Sequence, residues 1–303
     1  MSLLIFRGGK KLDFFLQQLV NTLKIGSIYA VIAIGYTMVY GIVRLINFAH
    51  GEIMVFGSYF AYLLATLTPL PFFVVLPISM VLTAILGVVI EKLAYAPLRK
   101  APRLSALITA IGMSFLLQNL MLIIFGSEPK RMPEVITVEP FNFGGIIIDS
   151  ITIITVGLSV LFMIVLQLFI KNTKPGKAMR AVSEDKEAAT LMGINVNGVI
   201  SLTFAIGSAL GALGGTLFSI AFTQVYPTMG IMPGLKAFVA AVLGGIGIMP
   251  GAMLGGFLIG VIETFIKAYV SSTWADGIVF GILIIVLLVK PSGLLGINRK
   301  DKV

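Results

Sequence analysis

The sequence predicts an all-α, polytopic membrane protein, and three observations support this fold class. Hydrophobic residues make up 58% of the 303 positions, charged residues only 12%, and the mean hydropathy is +1.05, far above the values of soluble domains. The apolar residues gather in long runs, and short loops between these runs are rich in Lys and Arg. Such runs and loops are typical of helices that cross a bilayer.

Nine apolar segments follow one another along the chain and are candidate membrane helices. Several are shorter than the roughly 20 residues that a straight spanning helix requires. Short or Gly-interrupted segments suggest broken or re-entrant helices, which are stable only inside protein or beside a water-filled cavity. We therefore expect eight or nine membrane segments in one domain, residues 1–303. The segments are 25–42, 53–67, 72–91, 105–125, 151–170, 199–222, 235–248, 250–270 and 277–290.

The basic residues of the loops predict the orientation, because Lys and Arg concentrate on the cytoplasmic side. The loop 92–104 and the stretch 171–186 are rich in both and are expected in the cytoplasm. The loop Gly126–Ser150 has more acidic than basic residues, which fits the outer side, one crossing away. The basic side chains of the first two regions are Lys92, Arg99, Lys100, Arg103, Lys171, Lys174, Lys177, Arg180 and Lys186.

The N-terminus does not fit this orientation simply. The segment count puts it outside, whereas Arg7, Lys10 and Lys11 favour the inside. A second short helix, Phe14–Leu23, would resolve the conflict. We expect no removable signal peptide, because no small-residue cleavage site follows a short apolar core.

The C-terminal tail after Lys290 carries Arg299, Lys300 and Lys302, which predicts an inside location. This location requires either that segment 235–248 crosses the membrane or that two of the last segments are miscounted.

A polar stretch at 175–195 interrupts the apolar runs in the middle of the chain. Ser183 can cap a helix whose first turn is acidic, and Gly193 can end that helix in a left-handed conformation. The predicted helix, Glu184–Met192, would be only about 13 Å long, and so short a helix is marginal in water. We therefore expect a partner protein to hold it.

Two further stretches, one in each half of the chain, have the character of interrupted helices: 41–52 and 227–251. Broken helices in corresponding positions of two halves are a sequence signal for a transport pathway. Polar groups inside apolar segments have either a function or a structural partner. Two interpretations stay open: a local structural role, with His50 or Asn47 capping the helix of Glu52, and a role in the pathway or its gate. The candidate pathway residues are Asn47, His50, Glu52, Gly244 and Gly245.

Small residues recur at four-residue spacing in Gly207–Gly215 and Gly251–Gly260. This spacing lets helix backbones approach closely in lipid. It fits packing inside one subunit, and it also fits a subunit interface or a moving gate. Glu263 and Lys267 lie four residues apart on one predicted helix, in the order that favours an ion pair.

The sequence offers no site for enzyme chemistry, so we expect no catalytic, cofactor-binding or metal-binding residues. Pro175-Gly-Lys-Ala lacks the spacing of a phosphate-binding loop, and neither G-x-S-x-G nor H-E-x-x-H occurs. His50 is the single histidine and there is no cysteine, which excludes multi-histidine and thiolate metal sites. The net charge of +9 lies in short loops as a topology signal, so no nucleic-acid partner is expected.

Six blocks of the sequence follow one another in order: 35–41, 46–52, 179–185, 235–247, 250–256 and 291–296. At these blocks the chain resembles, over nearly its whole length, the permease subunits of branched-chain amino-acid ABC importers, the LivH-like family. The stretch from Glu187 to Gly193 is also similar to the start of the EAA signature by which bacterial permeases contact their ATPases, but it lacks the later Ile-x-Leu-Pro.

This resemblance implies a multi-pass protein of the bacterial inner membrane that imports branched-chain amino acids. The implied partners are a second permease subunit, of a related heterologous chain, two cytoplasmic ATPases, a periplasmic binding protein and membrane lipid. Residues 175–195 would be the cytoplasmic coupling loop, and substitution of Gly193 or Glu187 should uncouple ATP hydrolysis from uptake. The implied ATPase-coupling residues are Arg180, Glu184, Glu187, Ala188, Met192 and Gly193.

Two alternatives stay open on the sequence. The first is a permease of the same superfamily for another small solute, such as a sugar. The second is a secondary transporter or channel that works alone, with Glu52, Glu263 and Lys267 as its ion-coupling groups.

Overall fold

A computed structural model describes residues 2–44, 46–99, 101–136, 139–143 and 145–296. The predicted basic positions Lys100, Arg299, Lys300 and Lys302 lie outside these ranges. The helices are α1 (Ser2–Val43), α2 (His50–Leu67), α3 (Phe72–Ile90), α4 (Arg103–Phe125), α5 (Ser150–Asn172), α6 (Lys174–Glu184), α7 (Lys186–Leu191), α8 (Val196–Phe222), α9 (Ile231–Gly244), α10 (Met249–Tyr269) and α11 (Ser272–Val289). The strands are β1 (Lys130–Arg131), β2 (Phe141–Phe143), β3 (Ile146–Ile148) and β4 (Gln224–Val225).

Within the described ranges, seven helical spans are long and apolar enough to cross a membrane: Lys11–Val43, Phe72–Leu98, Leu104–Phe125, Ser150–Asn172, Val196–Ala221, Met249–Tyr269 and Ser272–Val289. The shorter apolar helix α9 and the helix α2 account for the other two predicted segments. Each of the nine segments therefore coincides largely with a helix, although α9 ends at Gly244 and not at 248, and the number of crossings stays a prediction. The protein is a multi-pass helical membrane protein.

The core of the bundle forms around α1, which packs against α5, α8, α9 and α10. The small residues of the sequence allow these contacts, because a Cβ atom added to Gly256 would lie 2.4 Å from Ala30 Cα and one added to Gly260 would lie 2.4 Å from Gly26 Cα. Gly214 packs equally closely on Ile32. At these positions, the small-residue spacing serves packing inside one subunit, as the first of the three interpretations predicted.

The two ends of the bundle are defined by the segments that they carry. The antiparallel pair β2–β3 marks one end, here called the hairpin end, and α6 and α7 mark the other, here called the α7 end. The first part of α1 lies at the hairpin end, since Gln17 Nε2 donates to Ile147 O at 3.0 Å and Lys24 pairs with Asp149 at 2.8 Å. The predicted short helix Phe14–Leu23 is wrong: these residues belong to the continuous helix α1, because no Pro interrupts Ser2–Val43.

The polar stretch forms two helices, and the predicted helix Glu184–Met192 is wrong in both bounds and in its cap, since α7 runs from Lys186 to Leu191. Asp185, with extended backbone, separates α6 from α7, and its carboxylate accepts hydrogen bonds from the amides of Glu187 and Ala188 at 2.8 and 3.0 Å. Ser183 instead donates to Arg180 O at 2.7 Å, inside α6. Both are good caps, and Asp185 prevails because its own backbone leaves the helical region. Gly193 follows α7 with φ of +79°, as predicted.

Helix α9 is a half-helix. Its 14 residues span about 21 Å, less than the roughly 30 Å of a bilayer core. It begins inside the bundle, where Gly230 and Gly234 pack on Gly51 of α2, and it ends near the α7 end, where the following Gly247 packs on Gly41 of α1. The chain thus enters the interior twice, before α2 and before α9, and the two helix beginnings meet there.

Candidate functional site

The beginnings of α2 and α9 form one wall of a cavity of about 260 Å³ that opens to the surface of the bundle. The side chain of Glu52, in the first turn of α2, lines this cavity and is only 4% exposed. Its Oε1 accepts a hydrogen bond of 3.4 Å from Ser114 of α4, and its Oε2 has no hydrogen-bond partner in the described part of the chain. The other lining residues are Tyr36, Phe48, Gly51, Ile111, Phe115, Gln118, Gly230, Ile231, Gly234 and Leu235.

Asn47 shapes the chain before α2. Its Oδ1 accepts hydrogen bonds from the amide of Ala49 at 3.1 Å and from the hydroxyl of Tyr95 at 2.8 Å. These bonds fix the turn between α1 and α2, and Asn47 does not bond the first-turn amides as a helix cap would. The predicted capping by Asn47 is therefore wrong in detail, although the side chain has a local structural contact.

His50 is the first residue of α2 and is buried on the side of α2 that faces α1 and α8. Its ring lies within van der Waals distance of the Cβ position of Gly35 and meets the ring of Tyr36 edge-on, with 4.7 Å between centroids. It does not line the cavity of Glu52, and it is a helical residue rather than the cap of that helix. Among the described residues, no group of three His, Asp or Glu side chains could hold a metal ion.

Gly244 and Gly245 lie at the opposite end of α9 from this cavity. Gly244 packs on Gly251 of α10 so closely that a Cβ would lie 1.9 Å from Gly251 O. Gly245 has φ of +106° and packs on Gly296. The structure therefore does not bring these two glycines together with Glu52, because α9 separates them.

An ionic cluster lies between α1, α9, α10 and α11, and the sequence predicted only one of its ion pairs. The predicted Glu263–Lys267 pair forms, and Lys236 of α9 also bonds Glu263 at 2.8 Å. Lys236 is only 4% exposed, and its Nζ also pairs with Asp276 of α11 at 2.7 Å. The hydroxyl of Tyr29 donates to Glu263 at 2.8 Å. The missed signal was a lysine inside an apolar segment, since such a residue requires a partner.

The tip of α7 projects from the bundle. Leu191 and Met192 are 89% and 82% exposed, while Met179 and Val182 of α6 are buried against the neighbouring helices. All six predicted coupling residues are exposed: Arg180, Glu184, Glu187, Ala188, Met192 and Gly193. Glu184 is the last residue of α6, and Ala188 donates its amide to the Asp185 cap.

Two basic side chains tie this stretch to the end of α1. Arg44 Nη2 donates to Ser183 O at 2.9 Å, and Lys186 Nζ donates to Val43 O at 3.2 Å. The last carbonyls of a helix attract cations, so the Arg44 contact suits the end of α6 and the Lys186 contact suits the end of α1. Partial burial, followed by the nearby charges of Arg44 and Arg99, lowers the pKa of Lys186 below its usual value.

A structural neighbour supports the architecture. The chain is similar to PsaBC from Streptococcus pneumoniae, solved in complex with Fab, with a TM-score of 0.50 and 14% identity over 96% of this chain and 97% of that chain. At this identity the similarity concerns the fold alone.

Sequence comparison gives the family. Residues 18–288 match the family model described as branched-chain amino acid transport system / permease component. The high-affinity branched-chain amino acid transport system permease protein BraD of Pseudomonas aeruginosa is 45% identical over 95% of this chain and 98% of its own length. The corresponding LivH of Escherichia coli K12 is 42% identical over 96% and 98%, and the ribose import permease protein RbsC of Haemophilus influenzae is 24% identical over 90% and 85%. Because the family model and these relatives match nearly the whole chain, the chain belongs to the family of permease components of branched-chain amino acid transport systems.

Proposed function

We propose that this chain is the membrane-spanning permease subunit of an ATP-driven importer in the bacterial inner membrane. The importer takes up branched-chain amino acids that a periplasmic binding protein delivers. The alignment of nearly the whole chain with permeases of high-affinity branched-chain amino acid systems, at 42–45% identity, carries this proposal.

The complex contains a second, related permease, two cytoplasmic ATPase subunits and the binding protein. The protruding tip of α7 supports an ATPase contact, because Leu191 and Met192 would otherwise stay in water. The apolar outer faces of α4, α5 and α11 support contacts with lipid and with the second permease. ATP is hydrolysed by the partner subunits, since the sequence lacks a phosphate-binding loop.

The coupling mechanism follows from the position of α6 and α7 between α5 and α8. Closure of the ATPases moves α7, and α6 passes this movement to α5 and α8, against which it packs. The hydrogen bonds from Arg44 to Ser183 O and from Lys186 to Val43 O also transmit this movement to the end of α1. From there the chain leads to α2 and the cavity of Glu52. The coupling contacts are Arg180, Glu187, Met192 and Gly193, with Glu184 and Ala188 beside them.

The test is uptake by proteoliposomes that hold the complete importer and its binding protein. Labelled leucine, isoleucine and valine should accumulate inside only with ATP, and labelled ribose should not. Vesicles whose ATPase subunit cannot hydrolyse ATP are the control. Uptake of ribose alone would support the sugar permease, and uptake driven by an ion gradient without ATP would support the secondary transporter. Either result would overturn the proposal.

A further inference from the structure

Glu52 offers a carboxylate oxygen without a hydrogen-bond partner to the cavity that α2, α4 and α9 border. Its carboxylate is almost entirely removed from solvent, Ser114 bonds only Oε1, and Oε2 is without a hydrogen-bond partner in the described ranges. Removing a carboxylate from water without a partner is costly, and a cation at Oε2 would make a strong, charge-assisted hydrogen bond.

The N-terminus of α9 lines the same cavity and attracts a negatively charged group. Gly230, Ile231 and Gly234 line the cavity, and the helix that starts there has neither a side-chain cap nor an acidic residue in its first turn. Among the described residues the amide of Gly230 has no hydrogen-bond acceptor, whereas the amides of Ile231 and Gly234 donate to Thr228 O and Gly230 O, and Pro233 has no amide hydrogen. A free amide at the positive end of a helix dipole attracts anions, a carboxylate among them. An acceptor for a cation and a donor group for an anion therefore share one cavity.

The remaining walls are apolar and the space is small. Ile111, Phe115 and Leu235 face the cavity together with the rings of Tyr36 and Phe48. A volume of about 260 Å³ lies just below the range of about 300–1,000 Å³ that drug-sized ligands occupy, so it suits a smaller solute. Ile111, Phe115, Ile231 and Leu235 are exposed, so the cavity is open to the surface between α4 and α9.

We propose that this cavity is a binding subsite for the zwitterionic form of an aliphatic α-amino acid. Glu52 accepts the hydrogen bonds of the ammonium group, the amide of Gly230 at the start of α9 binds the carboxylate, and the apolar walls hold the branched side chain. This inference rests on the proposed function, and it adds to that function the place where the solute pauses inside the permease.

The test locates the solute directly. Membranes that contain the complete importer are illuminated with a leucine analogue that carries a photoreactive diazirine, and the labelled peptides are identified by mass spectrometry. Labels are expected in 111–118 and 230–235, and excess unlabelled leucine should remove them. Labels confined to other segments would overturn the subsite.

Variants make the role of the charge testable. Glu52→Gln keeps the shape of the side chain and should lower the labelling about tenfold, because it removes a buried ion pair with the ligand. Glu52→Asp keeps the charge and should lose less. Glu134→Gln, at an exposed ion pair outside the bundle core, is the matched control and should label like the unmodified chain. If Glu52→Gln fails to insert, Ile231→Trp, at a partly exposed wall of the cavity, replaces it and should block labelling.

Failure of the subsite and failure of the proposed function give different results. Leucine uptake by the unmodified importer, together with unchanged labelling of Glu52→Gln, overturns the subsite alone. Absence of ATP-dependent leucine uptake by the unmodified importer overturns the proposed function, and the subsite with it.

Discussion

At the residue scale, the ionic cluster explains how charged side chains stay inside an apolar bundle. Lys236 and Lys267 meet Glu263 and Asp276, so two positive charges balance two negative ones, and Tyr29 adds a hydroxyl donor. Helix α9 is too short to span the membrane, and its buried lysine, Lys236, ties it to α10 and α11. The cluster thus holds the half-helix whose beginning lines the cavity.

We expect Glu263→Gln to lower the free energy of unfolding by about 3–5 kcal/mol, because it leaves Lys236 and Lys267 with too little compensating charge. The double variant Lys236→Met/Glu263→Gln should recover part of this loss. Unfolding in mixed detergent micelles measures both. Arg131→Gln, in an exposed pair with Glu134, should change stability by less than about 1 kcal/mol. Equal effects of Glu263→Gln and Arg131→Gln would contradict the structural importance of the cluster.

Two glycines in membrane helices allow a second test at this scale. A Cβ atom on Gly260 would lie 2.4 Å from Gly26 Cα, whereas one on Gly157 of α5 meets nothing within 4 Å. Gly260→Ala should therefore destabilise the protein by about 1–3 kcal/mol through overpacking. Gly157→Ala should be neutral or stabilising by up to about 1 kcal/mol, because alanine favours the helix. The same unfolding measurement compares them, and a stabilised Gly260→Ala would contradict the close contact of α1 and α10.

At the scale of elements, the short helices carry the distinctive features of the chain. The half-helix α9 brings its N-terminus to the cavity, and α7 presents a small apolar tip at one end of the bundle. Both helices are too short to be stable alone, so their positions depend on packing and on caps such as Asp185.

The function of α7 can be tested at its C-terminal glycine. Gly193 has φ of +79° with nothing near its Cβ position, and Gly126, after α4 at the hairpin end, has φ of +76° and equally open surroundings. A valine at either position strains the backbone to a similar extent. Gly193→Val should leave membrane insertion intact and lower ATP-driven leucine uptake severalfold at unchanged ATP hydrolysis, because it displaces the coupling tip. Gly126→Val should keep uptake, and equal losses in both variants would contradict the coupling role.

At the scale of the whole molecule, the contacts divide the chain between two ends. The start of α1 and the segment 126–150 share the hairpin end, while the end of α1 and the polar stretch share the α7 end. The N-terminal part of α1 thus lies at the same end as the segment 126–150, and the side of the membrane that this end faces stays a prediction.

Single cysteines in this cysteine-free chain test the orientation. A membrane-impermeant maleimide applied to intact spheroplasts should label Leu12→Cys and Glu128→Cys, because the basic loops at the α7 end predict that the hairpin end faces outward. It should not label Glu187→Cys, at the α7 end, until the membrane is permeabilised. Labelling of Glu187→Cys in intact spheroplasts would place α7 outside and contradict its contact with cytoplasmic ATPases.

The sequence by itself determined the membrane class, the nine apolar segments, the family and the left-handed end at Gly193, because hydropathy, motif blocks and glycine conformation are local properties of the chain. The tertiary structure alone decided that Gly51 meets Gly230, that Lys236 joins Glu263 to Asp276, and that Gly244 lies far from Glu52. It also selected Asp185 over Ser183 as the cap of α7. These outcomes depend on how distant segments pack and on which partner each polar group finds, and a local pattern does not contain that information.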